Sequence, residues 1–280
     1  METPSIYVAS PLGFTDPGRQ YLSDVLHPSL ASAGFSVLDP WEDTDGIVAR
    51  TTTIPPSDPE YLASLATMNT ALGAKNAGSI AQCSAVLALL DGSDVDSGTA
   101  SEVGYAVGLG VPVVGLRTDL RPAGDNAAAT VNLQVQYFIE ASGGTICRTI
   151  DDAVGVLREK VADRYLFHLA LRSRWEDATA TGSYTASTRE HSLEEVGFIH
   201  LSFADQLLAT ARRHYADVDA SELVLLRLDR RKLSSPLLVE HAPSVGEGFP
   251  HVYGPINLDA VVAIEDVVRD DRGDLRGTGR

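Results

Sequence analysis

Positive charge, cysteine and long apolar runs are all scarce in this chain, and each shortage removes a class of function. Lys and Arg number 22 against 38 Asp and Glu, a formal charge of −16 over 280 residues. Duplex nucleic-acid binders rest their affinity on cations that neutralise phosphates, so that partner is excluded and a small neutral or cationic ligand is expected. The two cysteines, Cys83 and Cys147, are far apart in apolar surroundings. They read as buried thiols, which speaks against a disulfide or a metal site. No apolar run approaches the ~20 residues of a membrane span, and no charged-then-apolar segment opens the chain. A cytoplasmic protein without a membrane partner is expected. Pro/Gly-rich linkers and internal repeats are absent as well.

An apolar content of 44% and a mean hydropathy near zero suffice for buried cores, and the length favours two domains, 1–162 and 163–280. Up to about residue 160, short apolar runs alternate with helical stretches. The runs at 6–9, 35–38, 85–90, 111–116 and 145–147 read as strands. The stretches 17–33, 58–82, 99–109, 129–141 and 151–162 read as helices, with Pro59 at a first helical position and Gly34 just past an end. Five such units predict an α/β, flavodoxin-like, doubly wound parallel sheet of five strands. A 2-1-3-4-5 order would put the switch point between strands 1 and 3, with the loops after Ala9 and Leu90 facing each other. The second part reads as a smaller α+β domain, with strands at 166–171, 197–201, 222–228 and 260–264 and a helix at 204–215. Six of the seven histidines fall there. The tail 269–280, rich in Asp, Arg and Gly, reads as frayed.

The stretch 91–106 carries Asp91, Asp94 and Asp96 in a turn and Glu102 at the start of a helix. A loop after a buried strand is where open α/β sheets bind ligands. Cleaving an N-glycosidic bond builds positive charge at the anomeric carbon and negative charge on the departing base. One carboxylate can trap the first and a second group can protonate the other, the two-carboxylate logic of retaining transfer. Asp96 and Glu102 are spaced to reach one pocket, with Gly98 between them permitting a tight turn. The same residues read equally as a capping box, Thr99-Ala-Ser-Glu102, in which Glu102 satisfies a helix amide.

The strand, the Asp-Gly turn and Asp96-Ser-Gly-Thr-Ala-Ser-Glu102-Val-Gly-Tyr-Ala resemble the nucleoside 2-deoxyribosyltransferase family. So do Ile6-Tyr7-Val-Ala-Ser10-Pro-Leu-Gly-Phe14 and Val131-Asn132-Leu133, and the similarity runs from residue 6 to about 144. The resemblance implies that Glu102 is the nucleophile forming a 2-deoxyribosyl ester, that Asp96 contacts the base and assists its protonation, and that Tyr7 orients Glu102. It implies that Phe14 walls the base pocket and that Ser10 and Asp91 line the substrate site. Asn132 matches a position that reaches the sugar of a neighbouring subunit, so a homo-oligomer, dimer or higher, is expected. Ser84 stands where many relatives carry a base-recognising Asp, and Gln134 where some carry Met. The loop 10–18 lacks the Gly-Ser-x-Arg run of relatives that hydrolyse deoxynucleoside monophosphates. A nucleoside and a free base are therefore the expected partners, though Arg19 could reach a phosphate.

Leu166-Phe-His168, Gly182-Ser-Tyr184, Gly197-Phe-Ile-His200-Leu-Ser202 and Phe249-Pro-His251-Val-Tyr253-Gly-Pro255 resemble a bacterial domain family of unknown function over about 165–268. That family's fold resembles ADP-ribosyltransferases, which implies a cleft holding His168, His200, Ser202 and Tyr253, with Tyr184 from the same motifs. His200 and Ser202 alternate on a strand and so share a face. The histidines have no His-x-x-x-His spacing and no Cys partner, and neither metal nor cofactor is expected. Transfer to a second base, hydrolysis by water, and a nucleotide-sensing first domain that regulates the second all remain open readings.

Overall fold

The structure, a computed structural model, describes residues 3–42, 54–242 and 246–278. The chain divides into two compact units: Met1–Glu140 with Gly144–Val161, and Ala141–Gly143 with Ala162–Arg280.

In the first unit β1 (Ser5–Ala9), β2 (Ser36–Leu38), β3 (Ala85–Leu89), β4 (Val113–Leu116) and β5 (Ile146–Cys147) form one parallel sheet in the order β2-β1-β3-β4-β5. This is the doubly wound flavodoxin-like order, with its switch point between β1 and β3. Helices cover both faces, so β3 is buried at every position and reads as a continuous apolar run. Alternation along the strands sorts two cores. Ile6, Val8, Leu87 and Leu89 pack with Leu22, Leu26, Leu30 and Leu157, whereas Tyr7, Ala9, Val86 and Ala88 pack with Ile80, Val103, Ala106 and Ile139. Each fully buried large aliphatic contributes about 1.5–3 kcal/mol. Tyr7 thus takes a position that an aliphatic would fill more cheaply, and its hydroxyl must find a partner.

The helical run expected at 17–33 is three pieces, Asp16–Tyr21, a π turn Leu22–Leu26, and His27–Ser32. Pro28 has no N–H to offer the preceding turn, and the backbone widens before it. Gly34 ends the run with φ +90°. The long helix starts at Tyr61, not at Pro59, because Asp58 accepts the Glu60 N–H through its side chain and the Tyr61 N–H through its carbonyl, which holds 58–60 as a turn.

The second unit is built from β6 (Tyr165–Leu171), β7 (Ser183–Tyr184), β8 (Ile199–His200), β9 (Leu223–Asp229), β10 (Leu237–Ala242), β11 (Glu247–Val252), β12 (Ile256–Asn257), β13 (Val261–Arg269) and β14 (Leu275–Gly277). They form antiparallel sheets β14-β13-β9-β6, β10-β11-β8 and β12-β7. The strand expected at 197–201 shrinks to Ile199–His200, because Gly197, at φ +92°, closes the helical turn Leu193–Val196 with its Ser192–Glu195 capping box. The tail is not frayed over its described residues. The chain reverses at Gly273 (φ +80°), β14 pairs with β13, and Arg212 grips the Asp274 carboxylate with two hydrogen bonds of 2.6 Å. The same Asp, Arg and Gly residues that suggested disorder supply this turn and clamp. Helix Arg172–Thr181 was not anticipated from the sequence, since it buries only Trp175 and Ala178 and shows little apolar periodicity. No helix among the described residues is long and apolar enough to cross a membrane.

Candidate active site

The loop after β3 opens into the helix Ser97–Gly108, which buries Thr99, Val103 and Ala106. One position before Val103, Glu102 is carried beside Tyr7 of β1, and the Tyr7 hydroxyl donates to Glu102 Oε1 at 2.6 Å. Asn76, on the helix Tyr61–Gln82 packed against the first, also donates to Glu102 through its side chain. Its carbonyl oxygen Oδ1 is buried and has no hydrogen-bond partner among the described residues. Burial raises the Glu102 pKa, the Tyr7 and Asn76 hydrogen bonds oppose that, and the nearby charge of Asp96 adds to it. The net shift is upward. Burial first, and Glu102 second, push Tyr7 above its ordinary value, which keeps it a proton donor.

Asp96 is the N-cap of the helix, its Oδ2 accepting the Thr99 N–H at 3.0 Å. The capping-box reading of Thr99–Glu102 therefore fails. The helix begins three residues earlier than that reading requires, and Glu102 is free of the cap and turned to Tyr7. Gly98 lies inside the helix, and the tight turn belongs to Gly92, at φ +124°.

Asp91 clasps two loops together. Its Oδ1 accepts the Thr118 and Asp119 amides at 2.6 and 2.7 Å and its Oδ2 accepts the Thr118 hydroxyl at 2.6 Å. Fully buried Arg117 holds the same loop by donating to the carbonyls of Leu90, Gly92 and Arg121. Ser10 accepts the Leu12 amide at 3.0 Å and offers its carbonyl to the Trp41 indole at 3.0 Å. Phe14 is 72% exposed and meets Trp41 edge-on, with ring centroids 4.4 Å apart. A Cβ on Gly13 would overlap the Trp41 ring. Asn132 caps the helix Leu133–Ala141, accepting from Gln134 and Val135. Arg19 donates to the Gly13 carbonyl and pairs with Asp16.

Ser84 is removed from the site. It precedes β3 and bonds the Ser5 amide, at the amino end of a parallel sheet, whereas Glu102 follows the carboxyl end. Five strand residues put those ends roughly 17 Å apart. Asn76 and Trp41 were missed from the sequence, since neither sits in a motif and each meets the loop only through packing. Among the described residues His27, Asp39 and Glu42 bring possible metal-ligand atoms within 4.8 Å of one another, and His27 pairs with Asp39 at 3.0 Å.

In the second unit a cleft of about 530 Å³ is lined by residues that include His168, His200 and Ser202. Tyr184 and Tyr253 are not in its wall. His168 is buried with both ring nitrogens engaged. Nδ1 donates to the His200 carbonyl at 2.7 Å, and Nε2 accepts from the Tyr184 hydroxyl at 2.8 Å. Burial pushes its pKa down to about 4, so it is a neutral, satisfied histidine at pH 7. His200 bonds Ser187 Oγ through Nδ1 at 3.2 Å. Ser202 pairs with Thr210 at 3.2 Å. Tyr253 donates to Glu240 at 2.6 Å.

The first unit is thus an α/β domain with a desolvated carboxylate, held by a tyrosine, at its switch point. Residues 6–142 match the family model of nucleoside 2-deoxyribosyltransferases and residues 169–264 that of a protein of unknown function, DUF952. The chain carries a nucleoside 2-deoxyribosyltransferase domain followed by a DUF952 domain. Similar solved structures include protein CC0527 from Caulobacter crescentus, 28% identical over 40% of this chain and 93% of that one, with a TM-score of 0.36. They also include a 2-desoxiribosyltransferase from Leishmania mexicana, 22% identical over 56% and 97%, TM-score 0.39. A third is the CMP N-glycosidase BcmB of Clostridium botulinum, 15% identical over 55% and 98%, TM-score 0.34. No curated protein matches the chain.

Proposed function

We propose that the first domain is an N-deoxyribosyltransferase that cleaves the N-glycosidic bond of 2′-deoxynucleosides through a covalent 2-deoxyribosyl ester on Glu102. The observation that carries this reading is the 2.6 Å hydrogen bond from Tyr7 to a Glu102 carboxylate drawn partly out of water. A carboxylate so placed is fixed in direction and more basic than one in solution, which suits attack on an anomeric carbon.

Glu102 forms a C–O bond at that carbon while the C–N bond breaks, its electron pair going to the base. Asp96 acts at the base. Its bonds within the described residues all run to Oδ2, so Oδ1 is the oxygen that faces the leaving group and assists its protonation. Nitrogen of a second base then attacks the same anomeric carbon, the C–O bond to Glu102 breaks with its electron pair returning to the carboxylate, and the N–H proton that the incoming base gives up balances the one the departing base gained. Asn132 of a neighbouring subunit and a homo-oligomer belong to the same reading.

Incubating the purified protein with a panel of 2′-deoxynucleosides, with and without a second free base, tests it by chromatography. A new deoxynucleoside is the expected product. Free base and free sugar alone would convert the reading to a hydrolase, with water in the second step. No turnover would leave the sensing role.

A further inference from the structure

The cleft of the second domain gathers five of the chain's seven histidines, His168, His191, His200, His214 and His251. Its volume of about 530 Å³ lies within the range of small-molecule sites. Phe167, Leu169, Leu201 and Phe249 supply apolar wall. The imidazoles are not grouped as a metal centre. Among the described residues the trio that brings ligand atoms together is in the other domain.

Two features indicate what the cleft takes. First, its rings are pre-oriented. His251 Nδ1 lies 2.8 Å from Glu240 Oε2, and a carboxylate only accepts, so Nδ1 carries the hydrogen and Nε2 is left to the cleft. Tyr253 donates to the same Glu240 oxygen and fixes it in turn. Second, basic groups crowd one side. Burial first, and then Arg213 and Arg189, disfavour the proton of His214, and burial first, then His251 and His214, disfavour that of His200. Arg189 spends its charge on Asp217 and Glu190, and Glu190 itself lines the cleft. Arg213 is exposed and makes no ion pair among the described residues. Among the described residues Arg213 is thus left at the cleft without a counter-ion, which a bound anion supplies.

We propose that this cleft binds a small organic phosphate of the nucleotide class, with Arg213 at the phosphate, His200 and His251 as hydrogen-bonding partners, and the apolar wall against the ring. Guanidinium suits phosphate because its N–H groups match the oxygen spacing, and the wall gives an aromatic ring a face to cover. The proposal does not depend on the chemistry of Glu102.

Isothermal titration of the full chain tests it with four probes: 5′-AMP, adenosine, ribose 5-phosphate and inorganic phosphate. AMP is expected to bind, with adenosine and inorganic phosphate each at least about tenfold weaker, a charged hydrogen bond and the ring contact each being of that order. Arg213→Ala should weaken AMP by about tenfold or more, and Arg213→Lys should recover part of the loss. Because Arg213 is exposed, circular dichroism of both variants should match the parent, and deoxyribosyl transfer should be unchanged. Ribose 5-phosphate binding as tightly as AMP would identify a sugar phosphate as the source of the same phosphate chemistry. Equal affinities for AMP and adenosine, AMP binding unaltered by Arg213→Ala, or no binding of any probe at millimolar concentration would each overturn the proposal.

Discussion

Glu102 and His168 meet the same physical problem in the two domains and resolve it in opposite ways. Burial disfavours charge in both. Around Glu102 the neighbours are donors, Tyr7 and Asn76, aimed at a carboxylate. Around His168 they are a carbonyl and a phenol, the partners that a neutral imidazole satisfies completely. Burial sets the direction of both shifts, and the hydrogen-bonding type of the neighbours sets how strongly it is opposed and which form they suit. Distribution of charge reinforces the contrast, since 14 of the 22 Lys and Arg lie beyond residue 162 together with only half of the 38 acids. The first domain surrounds a buried carboxylate with donors, and the second surrounds a buried neutral imidazole with a carbonyl and a phenol.

The comparison breaks first at Glu102. Glu102→Gln is expected to lower deoxyribosyl transfer by at least about a thousandfold, because the amide cannot form the ester, while AMP binding by the second domain stays as it was. Near-normal turnover would end the nucleophile role. Asp96→Asn is expected to slow base release by about a hundredfold. Asn caps helices as well as Asp does, so the fold should be spared, and an unchanged rate would take Asp96 out of acid catalysis. Tyr7→Phe sharpens the contrast. Loss of a hydrogen bond to a charged group amounts to about 1.5–3 kcal/mol, about tenfold to a hundredfold in rate. It should also move the acid limb of the pH–rate profile upward, since the donor that favours ionised Glu102 is gone. In the parent protein that limb should already lie above the ordinary carboxylate value, given the raised Glu102 pKa. A limb at or below it would mean that the Tyr7 and Asn76 hydrogen bonds outweigh the burial of Glu102.

Tyr7, Asp96 and Glu102 were legible in the sequence because short segments carry them and the order of apolar runs fixes which loops meet. The sheet order was legible for the same reason. Asn76 was not, since it reaches Glu102 across two packed helices and no spacing in the chain encodes that approach. Ser84 was assigned to the wrong end of the sheet. A residue preceding a parallel strand lies opposite the loop that follows it, a consequence of topology that matching single positions overlooks. In the second domain, strands as short as Ile199–His200 carry too few residues for alternation to register, and the charged turn before Leu275 looked like a solvated tail. The cleft's histidines stood out by type, whereas Arg213 gave no signal until the helix Leu207–His214 put it beside them.

The smallest effect expected is a gain in stability. Because the folded-state pKa of Glu102 is raised, the native protein holds this proton more tightly than the unfolded chain. Stability therefore falls as pH rises from the ordinary carboxylate value through the folded-state value, and the cost is fully present above both. Glu102→Gln removes the cost. Its side-chain oxygen can still accept from Tyr7, and its amide can donate to the Asn76 oxygen that otherwise has no partner. The melting temperature of the variant should exceed that of the parent at pH 8, and the gap should close toward pH 4, where the parent carboxyl is protonated. Calorimetry of both proteins across that range checks this, following the transition of the first domain. A variant no more stable than the parent at pH 8 would mean that Tyr7 and Asn76 fully offset the burial of the charge, and the contrast with His168 would then rest on the histidine alone.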